Sequence, residues 1–209
     1  MKVIIFGATG TIGRLVVEQA LAAGHQVTAF ARNPQNLDLQ HQSLTRYAGD
    51  ASNAADVADA IKGHETVIIT LGSGMSRKSR IRSLGTANII AAMKQHGIDR
   101  LICQSTLGAH ESWENLNFFW KRIMFGALLA PVFKDHERQE ALVRDSGLDW
   151  TIIRPSAFTQ DPATGKFKTA FGPEERRLTL KISRADVAAF IKDQIVGSDF
   201  NRRAVAISN

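Results

Sequence analysis

The feature that most constrains the fold is a glycine-rich turn that directly follows the first apolar segment. That segment, 2–6, is followed by one glycine at every third position and then by a helical pattern. Main-chain N–H groups at the start of a helix can bind a pyrophosphate only where no Cβ blocks its approach. We therefore predict that this turn binds a dinucleotide, with a purely structural turn as the alternative. The residues assigned to it are Gly7, Thr9, Gly10, Thr11, Ile12 and Gly13.

Short β-branched segments alternate with longer helical patterns along the chain, which is typical of a parallel sheet with crossover helices. Strands are predicted at 2–6, 26–31, 44–48, 66–70, 100–105, 150–154 and 204–207. Helices are predicted at 11–23, 54–62, 80–96, 134–146 and 184–196. The prediction is an α/β fold with a doubly wound, Rossmann-type parallel sheet, helices on both faces, and a single NAD(P)-binding domain over 1–209.

Two segments depart from this alternation. The segment from His110 to Phe133 is rich in aromatic residues at a point where a short connection is expected. We interpret 110–133 as an insertion that covers or walls a site. A second segment, from Phe158 to Leu178, is rich in glycine, proline and charge, and we expect it to cover the same end of the sheet.

Composition excludes several classes of protein. The chain has 209 residues, 44% hydrophobic and 22% charged, with 16 glycines and 5 prolines, so it is neither collagen-like nor intrinsically disordered. The net charge of +6 favours anionic ligands, and we expect a small-molecule substrate rather than nucleic acid. A single cysteine, Cys103, needs no oxidising compartment, and the uncharged apolar stretch 123–133 is too short to span a bilayer. We therefore expect a cytoplasmic protein with no membrane span; composition does not predict its oligomeric state.

The residues that follow the second, third and fourth predicted strands bear on which dinucleotide is bound. Arg32 occupies the position where a carboxylate would bind the 2′-hydroxyl of NAD, and a guanidinium there pairs with the 2′-phosphate of NADP. NADP is therefore the predicted cofactor, and a solvated surface arginine is the alternative. Asp50 could bind the adenine amino group or cap the next turn, with Ala51 beside it. Leu71 and Gly72 offer a further close approach of the backbone to the cofactor.

Together with the glycine turn, several further motifs resemble the NmrA-like branch of the atypical, NAD(P)-binding short-chain dehydrogenases. Within that branch the chain is most similar to the group of biliverdin reductase B, the NADPH-dependent flavin reductases. The resemblance covers nearly the whole chain and implies an NADPH cofactor and a hydride acceptor with conjugated rings. The segment 110–133 is longer here than in that group. The motifs are Gly49-Asp50, Gly72, 91–99, Ser105-Thr106, Asp135-His136, 146–155 and 162–165.

The predicted helix near residue 134 lacks the Tyr-x-x-x-Lys pair with which many short-chain dehydrogenases protonate an alkoxide. Val132 stands at the tyrosine position, His136 stands at the lysine position, and the only tyrosine is Tyr47, at the end of the third predicted strand. The acceptor must therefore be reduced without a tyrosine acid. Flavins and linear tetrapyrroles allow this, because hydride addition to a conjugated ring system gives a delocalised anion that solvent can protonate.

Ser105 and Thr106 follow the fifth predicted strand, at the sheet edge where doubly wound folds bind ligands. We expect them to hydrogen-bond the nicotinamide carboxamide or a substrate carbonyl; capping of a loop is the alternative. By the resemblance, Thr106 is the counterpart of a serine that faces the nicotinamide. His136 could orient the substrate, relay a proton, or be a structural, partly buried histidine. Pro155 and Ser156 are expected to close over the nicotinamide.

Two other patterns are less informative. The helical segment from His136 to Glu140 resembles a zincin helix but lacks its second histidine, so no metal site is predicted. A basic run is either a solvated face or a group that steers an anionic acceptor. It consists of Arg77, Lys78, Arg80 and Arg82.

The leading hypothesis is an NADPH-dependent reductase that aligns its cofactor with a flavin such as FMN, or with a biliverdin-type tetrapyrrole, for hydride transfer. The alternative is an NmrA-like regulator that binds NADP without turnover, with the aromatic residues of 113–125 as a partner interface. A sugar-nucleotide epimerase or ketone reductase is disfavoured by the missing tyrosine.

Overall fold

A computed structural model describes residues 1–74, 76 and 79–209, so Arg77 and Lys78 of the basic run lie outside the described residues. The strands are β1 Lys2–Phe6, β2 Gln26–Ala31, β3 Leu44–Ala48, β4 Thr66–Ile69, β5 Arg100–Gln104, β6 Asp149–Pro155, β7 Ala157–Thr159, β8 Lys168–Thr169, β9 Lys181–Ser183 and β10 Arg203–Ser208. The helices are α1 Gly13–Ala22, α2 Ala54–Ala60, α3 Ile81–His96, α4 Ala130–Arg144 and α5 Arg184–Asp193. The remaining helical segments are 3₁₀ helices at Pro34–Asn36 and His110–Asn115, and a π-helix at Phe119–Leu128.

Eight strands form one sheet in the order β3-β2-β1-β4-β5-β6-β10-β8. Neighbouring strands are parallel except β8, which runs antiparallel to β10. The chain adds strands outward from β1 to β3, then returns to place β4 on the other side of β1. This reversal confirms the predicted doubly wound sheet and creates a crevice at the carboxyl ends of β1 and β4. The short strands β7 and β9 form a separate parallel pair.

Alternate residues of β1 pack against opposite layers of helices, because successive side chains of a strand point to opposite faces. Val3 and Ile5 belong to the core that includes α1 and α5, whereas Ile4 and Phe6 belong to the core that includes α2 and α3. All four side chains are fully buried. A strand buried on both faces explains why this segment is uninterruptedly apolar.

Helix α4 begins earlier than the sequence pattern predicts. The predicted start at residue 134 is wrong: the helix begins at Ala130, and Pro131 lies in its first turn. Proline is tolerated there because the first N–H groups of a helix have no partner within the helix. No helix within the described ranges is long and apolar enough to cross a bilayer.

The segment between β5 and α4 folds around four aromatic rings, which we call the aromatic wall. These are Trp113, Trp120, Phe125 and Phe133. The ring centroids of Phe125 and Phe133 are 4.6 Å apart, and those of Trp120 and Phe125 are 5.4 Å apart. Trp113 packs on Phe133 at 5.3 Å. The wall therefore fixes the π-helix against the start of α4.

An ion-pair network connects α4, β6 and the 3₁₀ helix at 110–115. Arg154 on β6 is only 1% exposed, and its Nε lies 2.9 Å from Oε1 of the fully buried Glu140 on α4. A second nitrogen of Arg154 lies 2.9 Å from Oε1 of Glu111, which also pairs with Arg144 at 3.0 Å. Partial burial would raise the pKa of Glu111, but hydrogen bonds from Arg154 and Arg144 hold it at about 2.

We predict that Glu140→Ala lowers the free energy of unfolding by about 3–5 kcal/mol, because it removes the main partner of a buried guanidinium. Chemical denaturation measures the loss. The control is Lys62→Ala, which removes the exposed ion pair of Lys62 with Asp59 and should have a far smaller effect. Similar small losses in both variants would contradict a structural role for the buried pair.

Candidate functional site

A cavity of about 870 Å³ lies along the carboxyl ends of the parallel strands, at the reversal between β1 and β4. One half of it is formed by the glycine turn and the loops after β2, β3 and β4. The other half is formed by the loops after β5 and β6 together with part of the segment 110–133. Most of the residues predicted from sequence lie on its lining. They are Gly7, Thr9, Gly10, Thr11, Ile12, Arg32, Asp50, Ala51, Leu71, Gly72, Ser105, Thr106, His136, Pro155 and Ser156.

The glycine turn packs directly on the end of β4. Gly7 has a φ of +87°, and a Cβ there would lie 2.6 Å from the carbonyl oxygen of Thr70. A Cβ on Gly13 would lie 2.2 Å from the carbonyl oxygen of Gly7. Only glycine at position 13 therefore allows the first turn of α1 to lie this close to the glycine turn. Gly13 itself does not line the cavity, and its place is the contact between helix and turn. Within the described part of the chain, no side chain caps the start of α1, and the N–H groups of Thr11, Ile12 and Gly13 have no hydrogen-bond partner, so these first N–H groups can bind an anion.

Arg32 and Asp50 lie at the outer edge of the same half of the cavity. Arg32 is exposed and follows β2 directly. The Asp50 carboxylate accepts hydrogen bonds from the backbone N–H and hydroxyl of Ser52, at 2.8 and 2.7 Å, and these bonds lower its pKa. Turn capping, the alternative to adenine binding, is therefore the arrangement that Asp50 adopts here.

Ser105 and Ser156 bring hydroxyl groups to the ends of the two central strands. Both side chains are buried, and neither hydroxyl has a hydrogen-bond partner among the described residues. The Ser105 N–H donates to the carbonyl of Ile153 at 2.7 Å, which joins the ends of β5 and β6. Thr106 is half-buried, with its hydroxyl 3.4 Å from the carbonyl of Leu107. The two serine hydroxyls are thus available to a ligand in the cavity.

His136 projects from α4 into the cavity, one turn after Val132, which also lines it. Burial lowers the pKa of His136 well below its ordinary value, and the nearby charge of Arg82 lowers it further. The imidazole is therefore neutral at pH 7. Tyr47 does not line the cavity: its hydroxyl donates to Asp59 at 2.9 Å, on the far side of β3.

Buried polar atoms without a partner are concentrated at this cavity. Ten such side-chain atoms occur among the described residues, and six belong to residues of the cavity lining. Buried polar groups in proteins are nearly always hydrogen-bonded, so a cluster of unpaired ones at a crevice indicates a place for a polar ligand. The six residues are Arg82, Gln104, Ser105, His136, Ser156 and Arg184.

Several lining residues were not identified as site residues from the sequence. Gln104 is the last residue of β5, directly before Ser105, so its position could have been inferred from the strand. The segment 110–133, interpreted from the sequence as covering or walling a site, supplies much of the apolar half, but Leu180 and Arg184 carry no local signal, because they reach the cavity from distant parts of the chain. The apolar lining consists of Leu107, Leu116, Trp120, Phe125, Leu129, Phe158 and Leu180.

Metal chemistry and thiol chemistry find no support in the geometry. Within the described ranges, no three His, Cys, Asp or Glu side chains are grouped closely enough to hold a metal ion. Cys103 is fully buried in β5, and burial raises the pKa of its thiol, as does the charge of Glu140. Cys103 is therefore a small buried side chain of the sheet.

Comparison with known proteins agrees with this fold. The chain is 32% identical over 201 residues to the uncharacterized sugar epimerase YhfK of Bacillus subtilis, with 90% of this chain and 85% of that protein covered. It is 26% identical to ChuY, an anaerobillin reductase from Escherichia coli, with a TM-score of 0.80 over 99% of this chain and 96% of ChuY. The oxidoreductase ylbE of Lactococcus lactis shares the fold at a TM-score of 0.85 and 22% identity, with 100% and 91% of the two chains covered.

The model of one protein family, described as NAD(P)H-binding, matches residues 7–196. The match begins at the first glycine of the turn and ends just after α5, so it includes every residue of the cavity lining in the described part of the chain. The chain belongs to the NAD(P)H-binding, Rossmann-like family of epimerases and reductases, which includes the NmrA-like atypical short-chain dehydrogenases.

Proposed function

We propose that the protein is an NADPH-dependent reductase that transfers a hydride to a conjugated acceptor, such as FMN or a biliverdin-type tetrapyrrole. One observation carries the proposal. The cavity has a glycine-lined half and an apolar half, and its lining has Val132 at the tyrosine position and a neutral His136 one turn later. Such a cavity can align two rings, but it has no tyrosine acid to protonate an alkoxide. The family membership of the chain supports the cofactor class.

The residues of the glycine-lined half fit NADPH. The free N–H groups at the start of α1 suit a pyrophosphate, and Arg32 at the end of β2 suits the 2′-phosphate. The unpaired hydroxyls of Ser105 and Ser156 suit the carboxamide of the nicotinamide. When bound, NADPH supplies the hydride.

The residues of the other half orient the acceptor and exclude water. Leu116, Trp120 and Phe125 present an apolar surface for a flat ring system. In the proposed mechanism, Thr106 positions the ring edge, and Pro155 covers the nicotinamide. His136 acts as a neutral hydrogen-bonding group, so the proton that completes reduction comes from solvent.

The residue at the tyrosine position favours reduction over epimerisation, the two activities for which relatives are named. ChuY is named as an anaerobillin reductase, and a reductase of this kind needs only hydride transfer and protonation of the product. YhfK is named as a sugar epimerase, but that reaction needs an acid and base at the tyrosine position, which Val132 occupies here. We therefore prefer the reductase.

The second candidate is a regulator that binds NADP without turnover. It is favoured by the exposed apolar side chains of the π-helix region: Phe118 is 74% exposed, Phe119 is 49% exposed and Ile123 is 43% exposed. Exposed patches of this kind often mark contacts with other proteins. Such a regulator would bind NADP and leave NADPH unoxidised in the presence of acceptors.

Purified protein is expected to oxidise NADPH when FMN is added, which the absorbance of NADPH reports. Tyr47→Phe should oxidise it at the wild-type rate, because Tyr47 lies outside the cavity and bonds to Asp59. A large loss of turnover in that variant, with folding and cofactor affinity intact, would contradict the mechanism. Tight NADP binding without oxidation of NADPH by any acceptor would favour the regulator.

Arg32→Ala should weaken NADPH binding by roughly ten- to 150-fold, because a hydrogen bond to a charged group contributes about 1.5–3 kcal/mol. NADH lacks the 2′-phosphate, so its affinity should change little and serves as the internal control. Titration of both cofactors against both proteins measures the effect. If the wild type binds NADPH and NADH equally well, the assignment of Arg32 is wrong.

Thr106→Ala and His136→Ala should each lower the single-turnover rate by about ten- to a hundredfold, since both residues align reactants rather than form covalent intermediates. The wild-type rate should vary little between about pH 6 and 8, because burial lowers the pKa of His136 and solvent supplies the proton in the proposed mechanism. Rates with saturating NADPH and FMN provide the measurement. Complete loss of hydride transfer in His136→Ala, with both ligands bound, would identify an essential acid and reject protonation by solvent.

A further inference from the structure

Arg184 is a cavity-lining cation that neither the cofactor nor the proton chemistry employs. It is the first residue of α5, and one of its terminal nitrogens donates to the carbonyl of Thr159 at 3.1 Å. Its guanidinium carbon lies 5.5 Å from the ring centre of Phe158. Its Nε is buried and has no partner among the described residues. The side chain is therefore held in place by the protein while part of its hydrogen-bonding capacity remains free.

No carboxylate neutralises Arg184 within 4.0 Å in the described part of the chain. The nearest acid in sequence, Asp186, is engaged elsewhere: it accepts from the N–H groups of Thr164 and Gly165 at 2.9 and 2.8 Å, and from the Ser183 hydroxyl at 3.0 Å. A partly buried cation without an acid partner costs free energy that a bound anion would recover.

Arg154 shows the opposite arrangement. Arg154 is the largest fully buried side chain among the described residues, and two carboxylates, those of Glu140 and Glu111, pair with it behind the cavity. Carboxylates thus neutralise Arg154, which stabilises the fold. None among the described residues neutralises Arg184, which faces the cavity.

The position of Arg184 relates it to the apolar half of the cavity. Leu180 packs with Leu107 and Leu116, and its carbonyl accepts from the N–H of Ala157 at 3.1 Å. Strand β9 leads directly from Leu180 to Arg184. At about 3.3 Å per residue, these four steps span roughly 13 Å at most. A ring system on the apolar lining can therefore extend an acidic substituent to the guanidinium.

We propose that Arg184 binds an acidic group of the hydride acceptor, so that the site selects conjugated acceptors that carry a phosphate or carboxylate over neutral ones. The proposal rests on the proposed function. Arg32 and Arg82 do not share this role, because Arg32 follows β2 and Arg82 donates to the Ser73 hydroxyl at 3.2 Å, next to Gly72 on the cofactor side. Arg184 is thus a specificity residue for the acceptor.

The test compares FMN with riboflavin, which differ only in the phosphate, in the presence of saturating NADP⁺. Quenching of flavin fluorescence gives the two dissociation constants without any turnover. The wild type is expected to bind FMN roughly ten- to 150-fold more tightly than riboflavin. Arg184→Leu should remove most of this ratio by weakening FMN alone, and Arg184→Lys should retain part of it.

Arg203→Leu is the matched control. Arg203 also stacks its guanidinium on an aromatic ring, that of Phe200 at 5.9 Å, but it is exposed and does not line the cavity. This variant should keep the wild-type ratio of FMN to riboflavin affinity. Thermal melting of each variant checks that it is folded.

Three results would overturn the proposal. The first is equal affinity of the wild type for FMN and riboflavin, together with equal affinity for biliverdin and its neutral dimethyl ester. The second is a loss of NADP⁺ affinity in Arg184→Leu with an unchanged ratio, which would make Arg184 a cofactor ligand. The third is binding of none of these four compounds.

Failure of the proposed function gives a different pattern. If NADPH is not oxidised by either flavin while FMN still binds in preference to riboflavin through Arg184, the reductase is rejected and the acid-binding site stands. If riboflavin and FMN are reduced with equal efficiency, and biliverdin and its dimethyl ester are as well, the reductase stands and the role of Arg184 is rejected.

Discussion

The carbonyl group of Gly7 is the contact on which the cofactor half of the cavity depends. The Thr70 hydroxyl lies 3.4 Å from this oxygen on one side, and Gly13 lies so close on the other that a Cβ would come within 2.2 Å. No side chain thus separates the Gly7 carbonyl from the first turn of α1. Any larger residue at position 13 would push the start of the helix away from the sheet edge. The same close packing that completes the core therefore also places free N–H groups at the crevice, where an anion can reach them.

Where an anion can bind depends on where the cations and their acid partners lie, and not on the total charge of the chain. The buried Arg154 is neutralised by Glu140 and Glu111, so its charge stabilises the link between β6 and α4. Arg32 and Arg184 line the cavity and have no such partners within the described residues. A cavity that contains cations without acid partners attracts anions, because a bound anion forms the electrostatic interaction that no protein carboxylate provides there. The net charge of +6 permits such binding, but only the placement of acids shows where it can occur.

The parts that the sequence predicted well are those with a local physical cause. Strands buried on both faces are apolar throughout, and a close helix approach requires glycine, so the sheet and its turn could be predicted from neighbouring residues. The start of α4 was predicted wrongly because Pro131 fits a first helical turn as well as a break. The segment 110–133 was predicted to cover or wall a site, but its contacts with Leu180 and Arg184 could not be predicted, because Leu116, Leu180 and Arg184 meet only through the packing of that segment against the region of β7 and β9. A π-helix such as Phe119–Leu128 has no sequence pattern of its own.

The chemistry open to the cavity follows from which of its groups can hold a proton. Val132 has no proton to donate. Burial together with the charge of Arg82 lowers the pKa of His136 and keeps its imidazole neutral. A ketone reduced in such a site would leave an alkoxide with no acid of suitable pKa beside it, and the barrier would rise accordingly. A conjugated acceptor delocalises the negative charge of the added hydride over its own rings, so the resulting anion can be protonated by water. Because no tyrosine stands at this position, the proposed reductase would leave the developing charge to the acceptor rather than to the protein, which is why the proposal names acceptors with an extended conjugated system.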